Sequence, residues 1–315
     1  MTRHADTEPE IWTRRQILRL GAGGCAAILG GAFGAQMKQG TQLMRTIPRR
    51  TEQLPAMGLG TYSTFDVGNS ESGRAPLREV LRLFIELGGR MVDSSPMYGS
   101  SESVVGDLAV DLGVRDKLFL ATKVWISGRD AGIRQMKTSM RRMQTPAMDL
   151  MQVHNLVDVE THLATLREWQ QQGLVRYVGI THYTESAYAA LEQLMRRETL
   201  DFVQLNYSIE SRDAEQRLLP LAEERGTGII VNRPFEQAGL FGKVRGAPLP
   251  SWVAEFDCHS WAQFFLKYIL AHPAVTCVIP ATSKPKHLVD NMQAGIGRLP
   301  DVAMRKKMIA HLSGV

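Results

Sequence analysis

The 315-residue chain predicts an α/β fold, a (β/α)8 TIM barrel built as a single domain. Three observations point there. Short apolar runs of β-type composition alternate with longer helical patterns, which implies a parallel sheet. There are eight such units, the number that closes a barrel rather than an open doubly wound sheet. Glycines mark the helix ends: Gly88-Gly89, Gly113, Gly173 and Gly226.

The strands are expected at residues 56–61, 91–92, 118–122, 150–153, 175–180, 202–205, 228–231 and 275–279. The helices between them are expected at 77–87, 102–112, 133–143, 161–172, 186–196, 214–224 and 261–271, with a last one at 286–294. Ser100 or Ser101 suits the cap of the second helix. Residues 232–259, rich in Gly and Pro, break the alternation and read as a large loop after the seventh strand.

The net charge of +5 invites a search for an acidic partner. The first 50 residues hold eight basic and three acidic side chains, which is the whole excess. The remaining 29 basic and 29 acidic groups leave the barrel neutral, without the footprint of a nucleic-acid-binding protein. Cys25, Cys258 and Cys277 are too few for a disulfide framework and lack metal-ligand spacing, so no metal is expected.

Before the barrel, the chain reads as an address. Arg14 and Arg15 precede an uncharged, glycine-rich apolar stretch over 20–35. Ala32 and Gly34 supply the small residues for cleavage after Gly34. Residues 1–35 resemble a twin-arginine (Tat) signal peptide. They imply the Tat export machinery as a partner and a periplasmic or otherwise exported location. A cytoplasmic protein, or one anchored by an uncleaved signal, is the alternative. The stretch is too short and too rich in glycine for a stable membrane span. Residues 36–50 read as a polar linker, and the barrel as 51–315.

Barrel enzymes carry their chemistry at the C-terminal ends of the strands. Asp93 and Tyr98 follow the second strand, Lys123 the third and His154 the fourth. Each alone is ordinary: a turn Asp, a packing Tyr, a core His. Together they can act. A phenol is a weak acid at neutral pH, and a nearby ammonium lowers its pKa. Asp93 can hold Lys123 charged and oriented. His154 can donate a hydrogen bond to a carbonyl oxygen or relay a proton. The four can polarise a carbonyl and protonate the alkoxide that forms. A hydrolase would need a nucleophile elbow, and no Gly-x-Ser-x-Gly occurs.

The ordered set of motifs resembles the aldo-keto reductases from about Pro48 to Asn291. It comprises Gly58-Leu59-Gly60-Thr61, the Asp93–Tyr98 spacing, Thr122-Lys123, His154, Gly179-Ile180-Thr181-His182-Tyr183, Gln204-Leu205-Asn206-Tyr207 and Val278-Ile279-Pro280-Ala281-Thr282-Ser283. The resemblance implies NADP(H)-dependent reduction of a small-molecule carbonyl, an aldehyde or ketone, with the tyrosine as general acid. It implies that Gly60, Thr61, Tyr62 and Asp93 lie along the cofactor's approach. Thr181, His182 and Gln204 would meet the nicotinamide carboxamide. His182 stands where the family has Asn, and Asn232 where it has a stacking aromatic, a role Arg233 or Phe235 could replace. Thr282, Ser283, Lys284 and His287 would surround the 2′-phosphate and Asn291 the adenine. Lys284 at a helix N-terminus favours NADP(H) over NAD(H). Tyr62, Trp125, Asn155 and Phe235 are the candidate substrate walls. The competing functional class is a low-turnover NADP(H)-binding module, regulatory or redox-sensing.

Overall fold

The structure is a computed structural model that describes residues 40–315. The expected signal sequence lies outside the described residues.

Eight parallel strands form one sheet: β3 (Leu59–Gly60), β4 (Met91–Asp93), β5 (Phe119–Val124), β6 (Met148–His154), β7 (Val175–Thr181), β8 (Phe202–Asn206), β9 (Gly228–Asn232) and β10 (Val275–Val278). They are ordered as in the chain, and Met57↔Val278 and Gly60↔Ala281 bridges join the last strand to the first. The predicted barrel is therefore present. Strand one is shorter than expected, because 56–58 reach β10 through single hydrogen bonds, such as Gly58 N to the Val278 carbonyl at 2.8 Å, without a full ladder.

The helices are α1 (Glu71–Glu86), α2 (Ser101–Asp111), α3 (Arg129–Arg142), α4 (Val159–Gln171), α5 (Tyr188–Arg197), α6 (Leu218–Arg225), α7 (Gly239–Lys243), α8 (Trp261–Leu270), α9 (Pro285–Gln293) and α10 (Val302–Ser313). Helix α1 starts six residues before its apolar stripe, since the Ser70 hydroxyl accepts from Gly73 N. Ser100 does not cap α2 with its side chain. Its amide and hydroxyl both donate to Asp66 Oδ1, each at 2.8 Å. Helix α10 lies beyond the last predicted element. Its Asp301 cap accepts from Met304 N at 2.8 Å, and only Met308 and Leu312 are buried, too sparse a stripe to reveal it.

Part of the stretch assigned to a linker is folded. β1 (Met44–Thr46) and β2 (Gln53–Pro55) form an antiparallel hairpin. Its apolar residues close the N-terminal end of the barrel. Ile47 and Leu54 join Met91, Phe119, Leu150, Tyr177, Phe202, Ile230 and Cys277 in a cluster inside the strands. Two large apolar residues among polar neighbours are a weak sequence signal. Their burial comes from the floor they cover.

The inward side of the strands changes character with height. Phe119, Ala121 and Lys123 alternate along β5, and Leu150, Gln152 and His154 along β6. Tyr177, Gly179 and Thr181 do so on β7, and Phe202, Gln204 and Asn206 on β8. The period of two puts an apolar floor beneath a polar top.

Candidate active site

Asp93 ends β4, Lys123 is next to last in β5 and His154 ends β6. The register aligns Asp93 with Ala121 and Lys123 with Gln152, each two residues short of the next site residue on the neighbouring strand. Lys123 Nζ lies 2.5 Å from Asp93 Oδ2 and donates to the Ser94 carbonyl at 2.6 Å. Both partners of the ion pair are buried.

Tyr98 sits in the turn after β4, before α2. Gly99, at φ 59, lets that turn close against Asp66, where a β-carbon would collide with the carboxylate. The Tyr98 ring centroid is 5.0 Å from Lys123 Nζ and 6.1 Å from the His154 ring. Asp93, Tyr98, Lys123 and His154 thus converge, as their order in the chain implied.

The electrostatics differ from expectation at one point. Burial pushes the Tyr98 phenol above its ordinary pKa, and the Lys123 ammonium offsets this only in part, with Asp93 adding to the rise. The expected lowering fails because the ammonium is engaged by Asp93 and the ring is desolvated. Burial alone would favour a neutral lysine, but Asp93 and Tyr98 outweigh it and hold Lys123 above the usual lysine value. His154 is driven down to about 3 by burial, with Lys123 and His182 contributing, and is neutral at ordinary pH. Its Nδ1 lies 3.1 Å from Ser95 Oγ, which itself accepts from Met97 N at 3.4 Å. A serine hydrogen donated to Nδ1 would place the ring proton on Nε2.

Around these groups stand aromatic side chains. Tyr62 meets Tyr98 edge-on at 5.0 Å and Trp125 lies 6.1 Å from His154; both are exposed. Gln135 grips Trp125 through the backbone, accepting from its N–H at 2.6 Å and donating to its carbonyl at 3.3 Å. Asn155 adopts φ 51, its amide bonded to the Thr181 carbonyl at 2.8 Å and its side-chain oxygen buried without a partner. Phe235 is not brought to this group. It packs on Phe241 and Phe265, with centroids at 5.0 and 6.5 Å, because the loop after β9 folds it over α8.

The remaining candidates form an arc along the rim. Gly60 packs so closely on β10 that a β-carbon would meet the Ile279 carbonyl oxygen at 2.7 Å. Thr61 is buried, its hydroxyl at 3.0 Å from the Asp93 carbonyl and from Ser94 Oγ, so it braces the strand end instead of facing outward. Thr181 Oγ1 donates to Gln204 Oε1 at 3.2 Å, and Asn232 Nδ2 reaches the same oxygen at 3.3 Å. Asn232 also donates to the His182 carbonyl at 3.4 Å. His182 stacks on Tyr183 at 5.5 Å, and its Nδ1 accepts from Thr184 N at 3.3 Å. Arg233, at φ 49, donates to the Tyr183 carbonyl at 3.3 Å. Farther along, Lys284 precedes α9, with Pro285 at its first turn and Thr282 Oγ1 accepting from Lys284 N at 3.1 Å. Ser283 is half-buried, His287 exposed and Asn291 buried.

Gln152 escaped the sequence reading, as did Ser95 and Asp66. The available signal for Gln152 was its spacing of two from His154 on one strand.

Comparison with known proteins gives one family. The model described as the aldo/keto reductase family matches residues 56–307. Methylglyoxal reductase YeaE of Escherichia coli (strain K12) is 30% identical over 248 residues, covering 76% of this chain and 84% of that protein. The uncharacterized oxidoreductase YqkF of Bacillus subtilis (strain 168) is 28% identical over 279 residues, covering 77% and 87%. Among solved structures, an aldo/keto reductase from Klebsiella pneumoniae in complex with NADP and acetate has a TM-score of 0.73 at 23% identity, covering 86% of this chain and 95% of that one. The thermostable aldo-keto reductase Tm1743, in complex with the inhibitor epalrestat, has a TM-score of 0.71 at 25% identity, covering 86% and 99%.

The buried histidine generates a pH prediction. Between its folded value of about 3 and the ordinary 6.5, His154 binds fewer protons folded than unfolded. Its contribution to stability is complete above the ordinary value and lost as pH falls toward the folded one. Exchanging His154 for Gln should flatten the dependence of unfolding free energy on pH across that window, measured by urea denaturation. Parallel curves for the two proteins would show that His154 titrates normally.

Proposed function

The chain belongs to the aldo/keto reductase family, and we propose that it reduces an aldehyde or ketone to the alcohol, with NADP(H) as cofactor and Tyr98 as general acid. The observation that carries this reading is the convergence of a protonated, desolvated phenol with a buried Lys123–Asp93 pair and a neutral histidine.

The residues divide the work. His154 presents its Nε2–H to the substrate oxygen and stays uncharged, so it polarises the carbonyl without gaining a proton. Tyr98 gives its proton to the developing alkoxide, and the Lys123 ammonium stabilises the phenolate left behind. Asp93 keeps Lys123 charged in a dry site. Tyr62, Trp125 and Asn155 flank the approach of a small-molecule substrate. The nicotinamide, when bound, supplies the hydride.

The rim suits a dinucleotide. Asn232 Oδ1 and Arg233 Nε are buried without partners near Thr181, His182 and Gln204, where polar groups of a nicotinamide would satisfy them. At the other end of the arc, partial desolvation of the His287 ring together with Lys284 and Lys286 holds it below the usual histidine pKa. Neither lysine forms an ion pair among the described residues. That excess of positive charge beside the start of α9 favours a phosphate, and so NADP(H) over NAD(H). The relative from Klebsiella pneumoniae was solved with NADP, in line with this. The absence of an aromatic at Asn232 favours the second reading, a low-turnover cofactor-binding module. We also propose export by the Tat route, on the twin arginines and the apolar stretch behind them.

Three outcomes test these proposals. Tyr98→Phe should lower turnover with NADPH and an aromatic aldehyde by about 10²–10⁴-fold while NADPH still quenches protein fluorescence with unchanged affinity. A wild type that binds NADPH but does not turn over would instead support the binding module.

Replacing Lys284 and His287 together by Ala should weaken NADPH much more than NADH in equilibrium titrations. Equal losses would put the 2′-phosphate elsewhere.

Changing Arg14 and Arg15 to Lys should retain the protein in the cytoplasm, as followed by fractionation and by the mass of the N-terminus. Identical fractionation of both forms, uncleaved, refutes export and leaves the reductase assignment intact.

A further inference from the structure

Gln152 lies inside the barrel one layer below His154 and is fully buried. It is in register with Lys123 on β5 and with Gly179 on β7. A β-carbon at Gly179 would approach Gln152 Cγ to 3.3 Å and the Phe202 carbonyl oxygen to 2.7 Å, so the glycine leaves the space that the glutamine fills. From there Gln152 Nε2 donates to Asp93 Oδ1 at 3.0 Å. Gln204 Nε2 donates to the same oxygen at 2.8 Å and to Gln152 Oε1 at 3.3 Å. Asp93 Oδ2 is left for Lys123.

We infer that Gln152 is a positioning residue of the reductase, which fixes the Asp93 carboxylate so that one oxygen faces Lys123 and which acts on the proton donor only through that carboxylate. The inference rests on Tyr98 being the general acid.

The two amides are not equivalent. Gln204 also serves the rim, where its Oε1 accepts from Thr181 and Asn232. Among the described residues, the Gln152 side chain hydrogen-bonds Asp93 and Gln204 alone. A carboxylate tied to a lysine through one oxygen alone can turn about its last bond. Two N–H donors on the other oxygen fix that torsion and draw off negative charge. The sign of the effect follows. Asp93 raises the Tyr98 pKa through its charge. Without the Gln152 donor, more of that charge is felt at the phenol, and Tyr98 becomes harder to ionise.

The test uses Gln152→Met, similar in size and without donors, and Gln152→Glu, which replaces the donor by a carboxylate oxygen. Tyr98 ionisation is read as the absorbance at 295 nm against pH, by difference between each protein and its Tyr98→Phe counterpart. NADPH affinity, KM and kcat are measured alongside. Gln152→Met should give about tenfold less phenolate at a fixed alkaline pH, a shift of about one pKa unit. It should lower kcat by about tenfold, with KM and NADPH affinity changing less than about threefold. Gln152→Glu should move ionisation farther in the same direction. Unchanged ionisation with kcat within about twofold of wild type would overturn the inference, as would parallel losses of NADPH affinity and kcat, which mark a scaffold role. Should Gln152→Met not fold, Gln152→Glu decides by the same titration. That titration needs no turnover, so it still reports if the wild type proves inactive, and failure of the reductase reading is told apart from failure of this one.

Discussion

The ion pair between Lys123 and Asp93 is the constraint around which the upper half of the barrel is arranged. Taking both charges out of water costs several kcal/mol per ion, and their attraction offsets this only with good geometry and full hydrogen bonding. The structure meets those terms with groups from several strands. Lys123 finds the Asp93 carboxylate and the Ser94 carbonyl. Asp93 is met by Gln152 from β6 and Gln204 from β8, and Thr61 braces its carbonyl. A charged pair in a dry site thus organises four strand ends, and its ammonium offsets in part the burial that holds Tyr98 protonated.

The sequence made this centre legible because its members come from consecutive strand ends, where order in the chain maps directly onto order around a barrel. The eight strands were legible for the same reason, since β-type runs and helical stripes repeat regularly. Other features depend on contacts distant in the chain. Gln152 looks like any polar residue near a strand end until Gly179 and Asp93 are seen beside it. The hairpin carrying Ile47 and Leu54 has too few apolar residues to announce itself, and α10 has a sparse apolar face. Phe235 was assigned to the substrate wall by its position after β9, yet a neighbouring aromatic cluster captures its ring. The direction of the Tyr98 shift was misjudged because the sequence reveals an ammonium nearby but not how dry the ring is.

The rim also concentrates backbone strain. Asn155, Leu156, Asp158 and Arg233 all have positive φ without being glycine, and all follow β6 or β9. Non-glycine residues in that region cost of order 1–3 kcal/mol each and persist where the surroundings enforce them. Here the enforcing contacts are specific. Asp158 accepts from Gly128 N at 2.7 Å, and His162 bonds the Ile126 carbonyl at 2.5 Å, so the loop after β6 is tied to the loop that carries Trp125. The walls beside His154 are therefore held by one another as well as by the strands beneath them.

The apolar floor sets the direction of proton traffic. Ile47, Leu54, Met91, Phe119 and Phe202 are all fully buried beneath the polar layer, and a proton has no carrier through such a seal. On the proposed role of Tyr98, a proton it gives up would return from the strand-end side, the side on which substrate and alcohol would also pass. Recharging the acid and clearing the product would then share one path.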